Sequence, residues 1–153
     1  MTPETTEPPA GRRVSAATIR RRVRFYETDG ARIVHFSCFF RFMEEAEYEL
    51  WHRAGLSNAP TPDLAFPRVA ASFDFRKPLR YEDEFEARIQ IAEIRSKTIR
   101  YSCQLSLNGE VAATGSMTVA CVSAVPGQPM RAVPIPTHVV DRFEAAGGVV
   151  PQT

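Results

Sequence analysis

The chain has 153 residues, 44% of them hydrophobic and 24% charged, which is the composition of one globular domain rather than of a disordered or fibrous protein. Nineteen basic against eighteen acidic residues leave a net charge of +1, too little surplus for affinity that comes mainly from nucleic-acid phosphates. No apolar run reaches the roughly 18 residues that cross a bilayer, and three cysteines without CxxC spacing suggest neither a disulfide framework nor a zinc site. A soluble, cytoplasmic protein with no metal and no membrane or nucleic-acid partner is expected.

The first nine residues hold three of the twelve prolines among Thr and Glu, and residues 1–16 read as a disordered tail. The domain is expected over 17–146, with a flexible tail over 147–153. From Thr18 to Tyr26 an alternating pattern predicts a strand, with Ile19, Val23 and Phe25 on one face and Arg20, Arg22 and Arg24 on the other. The Arg20–Arg22 run is then split between two faces, as ion pairs or a solvated edge require. A polar loop, Glu27–Arg32, follows. Phe36, Phe39, Phe40, Met43, Ala46, Leu50, Trp51 and Ala54 then recur at steps of three and four, which predicts an amphipathic helix roughly 27 Å long. Ser37 is its expected N-cap and Gly55 its C-terminal cap.

Pro60, Pro62 and Pro67 mark a loop, and alternation resumes after it. Phe73 and Phe75, then Phe85 to Ile91, then Ile99 to Leu107, and finally Val111 to Cys121 predict about four strands with one buried face. Asn108-Gly109 between the last two is a hairpin signal. A short helix is expected near Val139–Phe143. One long apolar helix and one apolar sheet face must bury each other, so the predicted class is α+β, a sheet curled around a central helix.

Few residues suggest chemistry. His35, His52 and His138 have no neighbour at metal-ligand spacing, and no GxSxG, P-loop or GxGxxG motif occurs. Cys38, Cys103 and Cys121 read as small buried hydrophobes. What remains is the stretch Tyr26 to Phe36, where Asp29 sits seven residues before the helix start. Free backbone N–H groups at a helix start can polarise a carbonyl oxygen, and a nearby carboxylate can attack the carbon or activate water. An Asp before a Gly is also an ordinary turn residue.

The run Val23–Leu56, with T-D-x-x-x-I-V-H-F-x-x-F-F-R-x-M-E-E-A at its centre, resembles the 4-hydroxybenzoyl-CoA thioesterase branch of the hotdog-fold superfamily. The resemblance extends from about Ile19 to Phe143. It implies a hotdog fold, a long helix wrapped by about five antiparallel strands, and hydrolysis of an acyl-CoA thioester with an aromatic or medium-chain acyl group. By that resemblance Asp29 is nucleophile or general base, the Phe36 backbone N–H binds the thioester carbonyl, and Glu44 is an acidic residue facing the acyl pocket. Arg95, Lys97 and Arg131 fall where cations meet the phosphates of coenzyme A. Arg32, His35, Phe39 and Phe40 are further expected substrate contacts. No cofactor is required, because coenzyme A is part of the substrate and a good leaving group. The implied assembly is a homodimer or a dimer of dimers, with sheets joined edge to edge and the site at the joint.

Arg32 stands where the family pattern has glycine, so the loop is expected either to take another path or to turn at Gly30. That departure leaves open a non-catalytic acyl-CoA-binding protein. A thioesterase acting on acyl-carrier protein also stays open, since the thioester is the same. A hydratase fits poorly: its motif places Asp five residues before His with Asn between, whereas Asp29 and His35 are six apart with no Asn.

Overall fold

Alternation along three long strands decides which side of the sheet is buried. The computed structural model describes residues 13–59 and 61–146. Strand β1 (Ala16–Arg22) and a single 3-10 turn (Phe25–Glu27) lead into helix α1 (Phe36–Arg53). After β2 (Leu64–Ala65) come β3 (Arg68–Phe75), β4 (Glu84–Ile94), β5 (Thr98–Leu107) and β6 (Glu110–Ala120). Two short strands, β7 (Val122–Ser123) and β8 (Arg131–Ala132), and the helical turn α2 (Thr137–Val140) complete the described fold. The main sheet is antiparallel with five strands in the order β1-β4-β5-β6-β3, and β2, β7 and β8 form a small second sheet. This is the α+β hotdog architecture.

Phe85, Ala87, Ile89 and Ile91 of β4 and Ile99, Tyr101, Cys103 and Leu105 of β5 are buried, and α1 lies across them through Phe42, Met43, Ala46 and Leu50. Each large side chain buried in this way contributes about 1.5–3 kcal/mol relative to exposure. Asn108 (φ 51°) and Gly109 (φ 78°) both adopt left-handed angles between the paired residues Leu107 and Glu110, the geometry of a two-residue hairpin. Gly115 of β6 faces Phe73 of β3, and a Cβ there would stand 2.6 Å from the phenyl ring.

Several boundaries differ from the sequence expectation. The first strand ends at Arg22, and Phe25 and Tyr26 are 74% and 72% exposed rather than strand residues. The cause is Glu27, whose carboxylate takes the Arg24 N–H at 2.8 Å and turns the chain. Helix α1 starts at Phe36, so His35 and not Ser37 is the N-cap: its Nδ1 accepts the Ser37 N–H at 3.2 Å. Gly55 does close the helix at φ 73°, with its N–H on His52 O and the Leu56 N–H on Trp51 O, both at 2.9 Å. The last helical turn lies at Thr137–Val140, directly after Pro136. Folded structure begins before residue 17, because Val14 bridges to Phe143 and its N–H donates to Arg142 O at 2.9 Å. The expected tails over 1–12 and 147–153 lie outside the described residues. No helix among the described residues is long and apolar enough to cross a membrane.

Candidate active site

The Asp29 loop is a small closed lobe. Its neck is tied by His35 N–H to Glu27 O at 2.9 Å and by the bridge between Thr28 and Val34. Inside it, the Asp29 N–H donates to Ile33 O at 2.8 Å, and the Asp29 carbonyl accepts from Arg32 at 2.9 Å. Asp29 Oδ1 accepts the Ala31 N–H at 2.8 Å, which orients the carboxylate and leaves the other oxygen for chemistry. Arg32 sits at φ 64°, the left-handed angle that glycine adopts freely, and Gly30 does not take over the turn. The loop therefore keeps the path a glycine would permit, and Arg32 bears a backbone cost of about 1–2 kcal/mol. Its side chain is exposed and is not part of the cleft beside Asp29.

That cleft, about 410 Å³, is bounded by Asp29, Phe36, Phe39, Phe75, Arg76 and Lys77 among others. At the start of α1 the Ser37 N–H goes to His35 Nδ1 and the Cys38 N–H to His35 O, whereas the Phe36 N–H has no such partner among the described residues. An unpaired donor at the positive end of an 18-residue helix favours an oxygen carrying negative charge. Phe39 is buried yet forms the cleft floor, edge-on to Phe75 with ring centres 4.9 Å apart. The structure thus brings Asp29, Phe36 and Phe39 together.

The other expected site residues are elsewhere. Phe40 packs edge-on against Phe73 at 5.2 Å and does not reach the cleft. His35 caps the helix and stacks on Phe36 at 4.6 Å, outside the cleft. Glu44 pairs with Arg68 at 3.4 Å, one helical turn and more beyond the cleft. Arg95 is bound to Glu93, whose carboxyl it holds below the usual range by hydrogen bonding. Lys97 and Arg131 have no ion-pair partner among the described residues and flank Cys121, whose N–H donates to Lys97 O at 2.8 Å and whose carbonyl accepts from Val133, next but one to Arg131. They lie near the Thr98 end of β5, a strand of ten residues and about 30 Å, whereas Arg76 and Lys77 of the cleft dock on Ala112, near its Leu107 end. Within one chain they cannot share a substrate end with Asp29.

The sequence reading missed three groups. Arg76 and Lys77 reach the cleft because both their N–H groups dock on Ala112 O, at 2.8 and 3.0 Å, where β3 leaves β6. Lys77 is paired with Glu110, and Arg76 has no ion-pair partner among the described residues. The third is Glu47, 1% exposed in the apolar stripe of α1. Its Oε1 accepts from Asn58 at 3.0 Å and from Arg68, and the neighbouring Tyr101 hydroxyl accepts the Trp51 Nε1–H at 2.9 Å. Burial outweighs Arg68 and raises the Glu47 carboxyl to about 7. Its position on the inward stripe between Met43 and Leu50 was the available signal. A recess of about 890 Å³ beside this cluster, next to Tyr48, Leu56 and Phe66, contains none of the expected site residues.

The Cys103 thiol is pushed up to about 12 by burial, and Cys121 is raised for the same reason. Among the described residues no group of three or more His, Cys, Asp or Glu is placed to hold a metal ion.

Residues 23–143 match the family model described as the thioesterase-like superfamily. A relative from Aquifex aeolicus is 39% identical over 85 residues, 54% of this chain and 66% of that one, so this chain spans just under two thirds of it. A 1,4-dihydroxy-2-naphthoyl-CoA hydrolase of Synechococcus sp. strain RCC307 is 30% identical over 131 residues, covering 81% of this chain and 98% of the relative. Among solved structures, a gentisyl-coenzyme A thioesterase superposes with a TM-score of 0.74 at 26% identity, covering 83% of this chain and 99% of that one.

Proposed function

The chain belongs to the thioesterase-like superfamily of thioester hydrolases, and from that premise we propose that it hydrolyses a CoA ester of an aromatic, ring-hydroxylated acid. The observation that carries this reading is the shared cleft of the Asp29 carboxylate and the unpaired Phe36 N–H. The thioester carbonyl oxygen accepts from Phe36, and charge developing on that oxygen strengthens the bond. Either Asp29 attacks the carbonyl carbon, CoA leaves as a thiolate and water then cleaves the acyl–Asp29 anhydride, or Asp29 takes a proton from an attacking water and CoA leaves as a thiolate when the tetrahedral intermediate collapses to the acid. Phe39 and Phe75 offer aromatic faces to the acyl ring, and Arg76 offers a donor to a ring hydroxyl or its anion. The relatives' names, a dihydroxynaphthoyl-CoA hydrolase and a gentisyl-coenzyme A thioesterase, support a hydroxylated aromatic acyl group. The left-handed Arg32 keeps the loop on its glycine-like path, which favours hydrolysis over a binding-only role.

The working unit is a homodimer joined through β3. This strand is an edge of the main sheet, and seven of its eight residues are exposed, Val69 and Phe75 among them. Open edges of this kind are normally paired. Antiparallel pairing about a two-fold axis lays the Arg68 end of β3 beside the Phe75 end of the other copy. Lys97 and Arg131 stand at the Arg68 end, so in the dimer they reach the other copy's cleft and meet the nucleotide phosphates there. Its three free cysteines suit a reducing cytoplasm.

Free-thiol release from a panel of acyl-CoA esters tests the reading. Turnover is expected to be fastest with hydroxylated aromatic esters. CoA esters that bind without turnover would instead make the protein a binding module, and preference for acyl-carrier-protein thioesters would reassign its substrate.

A further inference from the structure

The loop that carries Asp29 stands on two feet. One is apolar: Val34 is buried, and its N–H donates to Leu79 O at 2.8 Å. The other is ionic, and the proposed chemistry does not use it. Glu27 is buried; its Oε2 accepts from Nη1 and Nη2 of Arg21 at 2.9 and 2.8 Å, and its Oε1 accepts the Arg24 N–H at 2.8 Å. The Arg21 guanidinium lies 4.8 Å from the ring centre of Phe42 and 5.8 Å from that of Phe85, and its Nε is 3.5 Å from Glu45. One cation thereby ties together β1, the 3-10 turn, α1 and β4. A planar guanidinium can stack and chelate at once, which a lysine cannot.

The residue held by this cation is also the neck of the lobe, since Glu27 O accepts the His35 N–H at 2.9 Å and the Cys38 thiol at 3.7 Å. Past it, Gly30 and Ala31 are exposed, and Asp29 is only half-buried. Among the described residues, none of these three belongs to the hydrophobic core or packs against it. Asp29 therefore owes its position over the helix start to Val34 on one side and to Glu27 on the other.

We infer that Arg21 and Glu27 are a positioning pair for the hydrolysis, holding the Asp29 carboxylate in register with the Phe36 N–H. This rests on the hydrolase reading above. A displacement of about 1 Å at reacting groups costs on the order of 100-fold in rate. Apolar replacement of a buried ion pair, by contrast, is often neutral for stability. A strut and a positioning device therefore predict different results for the same variant.

The test compares Arg21→Met/Glu27→Leu, Glu27→Gln and Asp29→Asn in the full chain, using the best CoA ester of the panel. The apolar double variant is expected to keep its thermal midpoint and its KM while kcat falls about ten-fold or more. Glu27→Gln, which retains an acceptor for Arg24, is expected to lose roughly three-fold in kcat at constant KM. Wild-type kcat in the double variant would overturn the positioning role. If that variant does not fold, unchanged kcat in Glu27→Gln overturns it instead. Wild-type turnover by Asp29→Asn would show that the reading of Asp29 itself has failed, and the positioning role would fall with it, whatever the pair variants do.

Discussion

The two ends of α1 treat polar groups in opposite ways. At its start, among the described residues, one Asp29 oxygen and the Phe36 N–H have no hydrogen-bond partner, both beside a cleft. In its second half, Glu47 is sealed from solvent and its Oε1 accepts from both Asn58 and Arg68. A buried carboxylate held by its neighbours is committed to structure, whereas free groups at a helix terminus are available to a substrate. Burial alone would have pointed to Glu47, whose carboxyl it raises to about 7. Partner accounting points to Asp29.

The comparison can be broken most strongly at Glu47. Its carboxyl titrates at about 7 in the folded chain, against an ordinary value of 4.5. Between those values the folded state binds the extra proton, so stability is greatest on the acid side and falls as pH rises through the window. The loss amounts to about 3 kcal/mol at most. Denaturant unfolding at pH 5 and pH 8 should show that decline in the wild type and little of it in Glu47→Gln. Equal declines in both would show that Glu47 is not the group responsible.

A smaller effect is expected at Gly115, where a methyl group meets the Phe73 ring. Gly115→Ala should destabilise by about 1–3 kcal/mol in a thermal melt. Because Phe73 also touches Phe39 and Phe40, with ring centres 5.9 and 5.2 Å away, the order of preference within the acyl panel should shift as well. An unshifted order would separate this aromatic cluster from the acyl site.

The smallest effect belongs to Arg32→Gly. It relieves about 1–2 kcal/mol of left-handed strain and forfeits about 0.5–1 kcal/mol of glycine entropy, for a gain of roughly 0.5–1 kcal/mol. A midpoint that falls would mean that the Arg32 side chain supports the loop.

Much of the fold was legible because its signals are local. Alternation from Phe85 to Leu107 marked β4 and β5, and Asn108-Gly109 marked their continuation into β6. Phe25 misled because a β-face pattern cannot show that Glu27 captures the Arg24 N–H and turns the chain two residues earlier. Around the site, Asp29 and Phe36 were legible through the motif that joins loop to helix. Arg76 was not, since only the docking of β3 on Ala112 carries it to the cleft. Arg95, expected as a phosphate contact, pairs instead within its own chain with Glu93, two residues earlier in the sequence and just inside the end of β4. Lys97 and Arg131 can meet the Asp29 cleft only in the proposed dimer, and no local pattern records such an assembly.

The most direct test of the contrast between the two ends of α1 is a paired measurement of kcat and thermal midpoint for Asp29→Asn and Glu47→Gln at pH 8. Asp29→Asn should lose on the order of 100-fold or more in kcat with its midpoint unchanged. Glu47→Gln should move the midpoint and leave kcat near that of the wild type. If Asp29→Asn retained wild-type kcat while Glu47→Gln lost activity, the catalytic carboxylate would be the buried one, and the account of the helix start would be wrong.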